Sequence, residues 1–469
     1  MRPSRRFGAS VLALALSTAL STAFSPALAE TPPAGSAAFP GALGFGAGAV
    51  GWRGGEVIAV TNLEDAGDGS LRACVERETP RVCIFEVSGT IELDSELRVA
   101  ADVYVAGQTA PGDGIQLRLR DSRRSPLLLK NTHDVVVRYL KVRPGPSRQE
   151  SVGVDGITIE NAERVYIDHV SVMFATDENV NVHVSNGTAA DITIANSIIA
   201  FGLENANHPK GHHSKGALIC SSEGEMNACG RITLARNLFA HNRDRNPDLK
   251  ATDLGPVEVV NNVFYNPGSQ VGEFYNLLGE TRINYVGNVV RAGPDTRKDR
   301  PVAIVEAFLP DDTNPLELFV QDVVADGCAG AAELVLLDAA AEAHRADAPV
   351  GPLATPLLPA SETLDHVLAT VGDRIRGGRA PDPLDARLLS QTRECRGRII
   401  DDPTEDLGGW PEIAPAEAPV DSDGDRLPDA WETAHPPLDP AAPDDVWAIA
   451  PDRGLSLLES YLAERAADL

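Results

Sequence analysis

The chain has 469 residues, enough to bury a large core and one appended module. It carries 68 Asp and Glu against 41 Lys and Arg, which gives a formal charge of −27. Nucleic-acid binding needs clustered Lys and Arg, so this acidity argues against a nucleic-acid partner. A protein this acidic must supply local cations to bind an acidic ligand, and its many carboxylates favour calcium.

The N-terminal segment, 1–29, has the order of a secretory signal peptide. A basic stretch at Arg2, Arg5 and Arg6 precedes a short apolar run, 11–20, and small residues end at Ala29. Cleavage near Ala29 removes three arginines and no acid, which takes the formal charge to −30. A membrane anchor is the alternative, but no stretch approaches the roughly 20 apolar residues that a span needs. We predict a secreted protein, extracellular or periplasmic, without membrane attachment after cleavage.

A Pro-, Ala- and Gly-rich lead-in at 30–40, which we expect to be flexible, precedes β-rich runs that continue to about Val290. Turns containing Gly and Asn separate the runs, and they lack continuous helical periodicity, so we predict an all-β region. The runs are Val135–Val142, Ile157–Glu160, Val165–Val172, Val180–Val184, Ile192–Ile199, Ile232–Phe239, Val257–Phe264 and Ile283–Val290.

An Asn recurs at one position of these runs. Aligning His169, Asn196, Asn237, Asn262 and Asn288 gives spacings of 27, 41, 25 and 26 residues. A period of about 25 residues made of short strands suits a β-solenoid, in which each coil stacks on the last. An Asn at a tight bend tolerates a left-handed φ, and its amide can bond to the next coil. We therefore predict a parallel β-helix; a β-sandwich or a propeller is the alternative.

The six cysteines form sequence-local pairs, and an even number in an exported chain suggests disulfides. Sequence alone leaves 15 connectivities open. We favour the neighbour pairing for the first two pairs, and no CxxC pair supports a metal site. The pairs are Cys74/Cys83, Cys220/Cys229 and Cys328/Cys395.

The composition becomes Ala- and Leu-rich from about residue 323. This predicts helices at Ala331–His344 and Glu362–Arg374, while Pro-rich stretches at 349–359 and 411–419 predict linkers or wrapping loops. The last segment, 421–469, has the composition of a small acidic module.

The acidic module opens with a pattern similar to an EF-hand loop, in which acidic residues occupy positions 1, 3, 5, 9 and 12. Arg426 takes the sixth position, where Gly is expected for a sharp turn. We predict a structural calcium site here, with an acidic linker as the alternative. Its ligands would be Asp421, Asp423, Asp425, Asp429 and Glu432.

Several stretches resemble polysaccharide lyase family 1, the pectate lyases. The most specific match runs from Asp155 through Val165–Ser171 to Asn179, and a later one joins Asn237–Phe239 to Arg245-Asn246-Pro247. Further similar stretches are Gly69–Arg72, Phe85–Ile91, Ala106–Gly112, Arg387–Asp402 and Gly408–Pro411. The resemblance covers residues 41–412. It implies a right-handed, single-stranded parallel β-helix with a short helical and acidic C-terminal extension. It also implies a Ca²⁺-dependent lyase that cleaves an acidic polysaccharide, pectate.

Eliminative cleavage removes the C5 proton of a uronic acid and expels the C4 glycosidic oxygen. A base must take the proton while cations neutralise the neighbouring carboxylate. The resemblance assigns the base to Arg245, in an Arg-x-Pro pattern, and Arg243 could compete for this role. Because arginine is almost wholly protonated near neutral pH, it also implies crowding by cations and activity at alkaline pH.

Substrate carboxylates need their own cations. The resemblance implies that Lys215 and Lys250 hold them, with Arg243 nearby. Lys250 stands where Arg is common in the family, so a point charge replaces a bidentate clamp. The loop histidines His208, His212 and His213 precede Lys215; we expect polar loop residues near the substrate rather than a transition-metal site.

Asp155, Asp177 and Asn181 are the primary calcium candidates, with Glu178 as an alternate ligand. Asp177 and Asn181 are four residues apart, so they share one face of a strand and could reach one ion with Asp155. Two departures from the family pattern, Gly153 and Asn181, stand where an Asp is often found and should weaken calcium binding before substrate arrives.

Two other functions remain possible from the sequence. A β-helical glycoside hydrolase acting on pectin would need an acid/base carboxylate set, but we find none of the paired-Asp and His-Gly signatures of such enzymes. A non-catalytic β-helix that binds polysaccharide or calcium at the cell surface is the second. Arg245 and Lys215 close to a calcium cluster favour the lyase.

Overall fold

The computed structural model describes residues 37–121, 124–146, 154–206, 208–450 and 453–468. The predicted signal peptide, most of the predicted lead-in and Gly153 lie outside these residues. At the end of the lead-in, Ala38 and Phe39 are buried rather than free, and the Phe39 ring packs edge-on against Tyr166 at 4.9 Å.

Within the described residues, three parallel sheets of ten, nine and nine strands form the body of the molecule. The first sheet contains Glu56–Val60, Arg81–Phe85, Val103–Ala106, His133–Arg138, Glu163–Asp168, Thr188–Ala195, Ala228–Ala235, Val257–Val260, Thr281–Val286 and Leu316–Gln321. The second contains Leu97–Arg98, Leu127–Lys130, Ile157–Glu160, Glu178–Ser185, Lys215–Glu223, Asp248–Leu249, Gly272–Tyr275, Val302–Phe308 and Leu334–Leu337. The third contains Gly89–Leu93, Ile115–Leu119, Lys141–Val142, Ser171–Met173, Ile198–Ala200, Leu238–Ala240, Val263–Tyr265, Val289–Ala292 and Val324–Gly327.

Each coil gives one strand to each sheet, so from Val103 onward neighbours in a sheet are three strands apart in the chain. This is a parallel β-helix, and the predicted fold class is confirmed. Its interior is a set of in-register apolar columns, because alternate side chains of each strand point inward. One column runs through Val137, Ile167, Ile194, Leu234 and Val259, each at most 1% exposed.

Corners divide the predicted runs into pairs of strands. Val165–Val172 and Ile192–Ile199, predicted as single runs, each bend from the first sheet into the third. The bend is made by a residue with left-handed φ, such as His169 at 53° or Asn196 at 48°. The alternation of inward apolar residues changes phase at the bend, from Val165 and Ile167 to Val170 and Val172, a signal that the predicted single runs did not use.

An asparagine ladder lies one residue beyond these corners and corrects the predicted alignment. The ladder column is Ser197, Asn237, Asn262 and Asn288. The Oδ1 atom of each asparagine accepts the backbone N–H of the preceding coil, at 2.9, 3.0 and 2.9 Å. His169 and Asn196 belong to the neighbouring corner column, so the alignment was wrong by one residue at its first two positions. The sequence predicted that one residue has the left-handed φ and also bonds through its amide. In the structure the corner residue has the left-handed φ, and the next residue makes the amide hydrogen bond.

All three sequence-local cysteine pairs are disulfide-bonded: Cys74–Cys83, Cys220–Cys229 and Cys328–Cys395. The neighbour pairing favoured for the first two is therefore confirmed.

Helices close the ends and wrap one side of the β-helix. The described helices are Leu71–Val75, Ala339–Ala343, Ala360–Thr370, Pro383–Glu394, Pro403–Leu407, Asp429–Ala434 and Leu457–Ala466, with 3-10 turns at Phe45–Gly48 and Gly107–Thr109. The helix predicted at Glu362–Arg374 is present, but the one predicted at Ala331–His344 is wrong over most of its length. Leu334–Leu337 pairs in parallel with Val302–Phe308, so sheet extension overrides helix propensity there.

A buried ion-pair cluster holds the wrapping helix Pro383–Glu394 on the third sheet. Arg143, which is fully buried, donates to Asp382 at 2.6 Å and to Asp385 at 2.7 Å. In the part of the chain that the structure describes, no helix is long and apolar enough to cross a membrane.

Candidate active site

The predicted site residues lie on successive coils, at the start of second-sheet strands. Strand pairing sets Glu178 opposite Lys215, and an isolated bridge sets Lys215 opposite Asp244. Asp155 comes just before the strand Ile157–Glu160, and its Oδ1 accepts the backbone N–H of Glu178 at 3.2 Å. The coils of the β-helix thus stack residues that are distant in sequence along one face of the second sheet.

Three carboxylates form an acidic cluster on this face. Oxygens of Asp155, Asp177 and Glu178 lie within 4.8 Å of one another, a group that can hold a metal ion. Asn181 joins them, since its Nδ2 donates to Asp155 Oδ2 at 3.1 Å, and the Thr158 hydroxyl donates to the same oxygen at 2.8 Å. All four predicted metal residues are therefore in one place.

The two aspartates of the cluster differ in their ionisation. Burial, and then the charge of Asp177, raises the pKa of Asp155 to about 8. Burial also opposes ionisation of Asp177, but the hydrogen bond and charge of His213, with the charges of His208 and Arg245, hold its pKa below the ordinary value. Burial thus opposes ionisation at two neighbouring carboxylates, an arrangement that a divalent cation would stabilise.

Arg245 points into the acidic cluster. Its φ is 57°, and it is followed by a cis peptide bond between Asn246 and Pro247. The guanidinium forms an ion pair with the buried Glu178 and lies 3.8 Å from Asp248, and the side chain is 28% exposed. Asp248 also pairs with Lys250, so a second cation shares this carboxylate with Arg245.

Each predicted substrate-binding lysine also has a carboxylate partner. Lys215 Nζ lies 2.5 Å from Asp244 Oδ1, and Lys250 Nζ lies 2.7 Å from Asp248 Oδ1. Lys250 also sits 4.8 Å from the ring centroid of Tyr275. Both carboxylate partners belong to the short segment 243–250 that carries Arg245, so this segment places the two lysines beside it.

Arg243 is turned away from the acidic cluster. Its Nη1 lies 2.5 Å from Glu204 Oε1, and Glu204 also accepts from His212 at 2.8 Å. Its other ionic partner among the described residues is Asp244, at 4.0 Å. Neither partner is one of the three carboxylates of the acidic cluster, whereas Arg245 pairs with Glu178 of that cluster. Arg245 is therefore the better base candidate of the two.

Two of the three loop histidines, His208 and His213, contact the acidic cluster directly. His213 Nε2 lies 3.0 Å from Asp177 Oδ1, and His208 Nε2 lies 3.7 Å from Asp177 Oδ2, with the two rings stacked at 3.6 Å. Their ligand atoms are close enough to share a metal ion with Asp177. His208 Nδ1 accepts the backbone N–H of Lys210, while the buried His208 Nε2 has no hydrogen-bond partner among the described residues.

Sequence reasoning missed the carboxylates that surround Arg245. Glu273 Oε1 accepts the backbone N–H of Arg245 at 2.8 Å, and burial, with the charge of Asp244, raises the pKa of Glu273 to about 8. Asp248 pairs in register with Glu273 on the next coil. The signal was present in the sequence, because Asp248 and Glu273 are separated by one repeat of the β-helix.

The predicted structural metal residues, Asp421 to Glu432, lie on the first-sheet side of the molecule. Arg426, within their loop, pairs with Glu86 at 3.2 Å, and Glu86 follows a first-sheet strand. They are therefore not part of the second-sheet site.

The chain is similar to several pectate lyases. A probable pectate lyase C of Emericella nidulans is 36% identical over 401 residues, which cover 84% of this chain and 85% of the relative. One of Aspergillus terreus is 35% identical and covers 84% and 87%. Among solved structures, the cedar-pollen allergen jun a 1 shares the fold with a TM-score of 0.52 at 17% identity, over 71% of this chain and 92% of that one. No protein-family model matches the chain.

Proposed function

Because the chain belongs to the pectate lyase family and is a polysaccharide lyase, we propose that it cleaves pectate by calcium-dependent β-elimination. The observation that carries this proposal is the approach of the Arg245 guanidinium to the Asp155, Asp177 and Glu178 carboxylates on one face of the second sheet. A base and a group able to hold a cation are thereby adjacent, as elimination next to a carboxylate requires.

The reaction breaks one bond of the polymer without water. A base removes the C5 proton of a galacturonate residue, the electron pair forms a C4–C5 double bond, and the C4–O bond to the next sugar breaks. The departing oxygen takes up a proton. The products are unsaturated oligogalacturonides, which a hydrolase does not make.

The acidic cluster fits calcium. Its donors are oxygen atoms, which calcium prefers, and oxygens of three carboxylates converge within 4.8 Å of one another. Asp155, Asp177 and Asn181 would hold the ion, with Glu178 as an alternate ligand. When bound, calcium supplies positive charge that neutralises a substrate carboxylate. The neutral Asn181 weakens binding before substrate arrives.

Arg245 acts as the base in this proposal, and its surroundings fix its position. The backbone N–H is held by Glu273, and the guanidinium lies between Glu178 and Asp248. These partners keep the side chain at the acidic cluster, where the C5 proton must be presented.

Lys215 and Lys250 would hold substrate carboxylates. In the structure they are paired with Asp244 and Asp248. To bind substrate, each lysine must leave its aspartate and pair with a carboxylate of the polymer. A polyanionic chain with a carboxylate on every sugar makes this exchange at several positions at once, which offsets the cost of each.

We also place the protein outside the cytoplasm. The predicted signal peptide at 1–29 supports export, and the three disulfides suit an oxidising compartment.

The proposal is tested with purified protein and polygalacturonate, with calcium and with a chelator. We expect calcium-dependent growth of the ultraviolet absorbance of the unsaturated product. New reducing ends without that chromophore would show hydrolysis, and binding without cleavage would show a non-catalytic protein; either result rejects the proposal.

A further inference from the structure

A second acidic cluster lies in the C-terminal segment. Oxygens of Asp421, Asp423 and Asp425 lie within 4.8 Å of one another, and Asp425 forms a second such group with Glu432 and Asp444. Asp425 belongs to both groups, so the five carboxylates converge on one region. All donors are carboxylate oxygens, the type that calcium prefers over softer ligands.

Glu432 shows that this region is built for a cation. Its side chain is fully buried, and neither carboxylate oxygen has a hydrogen-bond partner among the described residues. The Oδ2 atoms of Asp423 and Asp444 likewise have none within the described part of the chain. A buried carboxylate without a partner is strongly unfavourable, so native proteins pair such groups or coordinate them to metals.

The carboxylates of this cluster place like charges close together, and a divalent cation at the centre would reverse their repulsion.

The loop is already folded in the shape that such a site needs. Asp421 accepts the backbone N–H groups of Gly424 and Arg426 at 2.8 and 3.1 Å. Arg426, at the position where EF-hand loops have Gly, takes the left-handed φ of 84° that the turn requires.

We propose that Asp421, Asp423, Asp425, Glu432 and Asp444 bind one calcium ion, which fastens the C-terminal segment to the first coils of the β-helix. Asp444 replaces Asp429 in the ligand set predicted from the sequence. Asp444 belongs to one of the two convergent groups of oxygens, whereas Asp429 belongs to neither among the described residues. The oxygens of Asp429 accept the N–H and hydroxyl of Ser422, at 2.7 and 2.6 Å.

The residues next to the ligands dock the segment on the helix. Arg426 pairs with Glu86 at 3.2 Å, and the fully buried Leu427 packs in the same apolar cluster as Trp52. Trp447, three residues after Asp444, donates from Nε1 to the Gly55 carbonyl at 3.0 Å. An ion bound by both Asp425 and Asp444 would therefore link the Arg426–Glu86 contact to the Trp447–Gly55 contact.

The test compares four full-length proteins: wild type, Glu432→Gln, Asp444→Asn and Asp429→Asn as the matched control. Calcium in excess should raise the Tm of the wild type and of Asp429→Asn by about 5 °C or more. Glu432→Gln and Asp444→Asn should lose most of this increment. Any contribution from the second-sheet site is common to all four proteins, so the differences report the C-terminal site alone.

Two further measurements sharpen the result. Isothermal calorimetry should count one calcium fewer in Glu432→Gln than in the wild type. Without calcium, Glu432→Gln should be at least as stable as the wild type, because a repelled buried charge is removed. Equal calcium increments and equal stoichiometry in wild type and Glu432→Gln would overturn the site. Loss of the increment in Asp429→Asn but not in Asp444→Asn would overturn the ligand set.

Discussion

The guanidinium of Arg245 reaches across one coil to pair with the buried carboxylate of Glu178, 67 residues earlier in the chain. This pair joins the base candidate to the acidic cluster. The same guanidinium lies 3.8 Å from Asp248, so carboxylates from two coils fix the position of the base candidate.

Replacing Glu178 should lower turnover by misplacing Arg245. In Glu178→Gln the ion pair that holds the guanidinium at the acidic cluster is lost, so we expect kcat to fall about 10-fold. The measurement is the initial rate at saturating calcium and saturating substrate, where excess calcium offsets any loss of a calcium ligand. An unchanged kcat would show that Glu178 does not position Arg245.

Lys250 should act on substrate binding more than on the chemical step. We expect Lys250→Ala to raise the KM for polygalacturonate about 10-fold, because one charge-assisted contact is lost, with a smaller effect on kcat. Lys130→Ala is the control, since Lys130 pairs with Glu160 on the same sheet at 2.7 Å but is not in the segment 243–250. An unchanged KM in Lys250→Ala would remove Lys250 from the substrate site.

Glu273 should make the fold less stable as pH rises. Burial raises its pKa from 4.5 to about 8, so between these values the folded protein keeps a proton that the unfolded chain releases. The stability contributed by neutral Glu273 is complete below pH 4.5 and is lost as pH rises through about 8. Glu273→Gln stays neutral, so its Tm should exceed that of the wild type by roughly 3 °C at alkaline pH.

The control for Glu273 is Glu306→Gln. Glu306 occupies the same column on the next coil and is only partly buried. We expect the same Tm difference from wild type at acid and alkaline pH for this variant. A Glu273→Gln effect that does not grow with pH would show that Glu273 is not protonated in the fold.

The asparagine ladder should account for a measurable part of the stability. Asn262 accepts from the Asn237 backbone and donates to the Leu234 carbonyl at 2.9 Å, in a fully buried position. Asn262→Ala leaves both groups unsatisfied, so we expect a loss of about 2–4 kcal/mol in the free energy of unfolding. Asn205→Ala, at a loop position near the surface, should change it by less than about 0.5 kcal/mol.

The sequence predicted the fold because a β-helix repeats its signals. Apolar runs and Asn at a regular period indicate stacked coils, and the strands Ile157–Glu160 and Val257–Val260 begin where predicted. It did not predict the corners, although the alternation of apolar residues changes phase on either side of Asp168 and His169. It misassigned 334–337, where Leu and Val suit a helix or a strand equally until the neighbouring coil is known.

The site was predicted in its members but not in its contacts. Asp155, Glu178 and Arg245 are together, as the resemblance implied. Glu273 was missed because stacking in register, not sequence proximity, sets it against the Arg245 backbone. Asp248 was missed although it lies three residues from Arg245 and two from Lys250. Asp444 was missed for a similar reason, since it lies outside the loop that the EF-hand motif describes.

The central claim, that Arg245 is the base of an eliminative lyase, is tested most directly by comparing Arg245→Ala with Arg243→Ala. The measurement is the initial rate of unsaturated product formation from polygalacturonate in calcium, with Tm confirming that both variants fold. We predict that Arg245→Ala lowers the rate by about 10²–10⁴ and that Arg243→Ala stays within a few-fold of the wild type. Full turnover by Arg245→Ala would contradict the assignment.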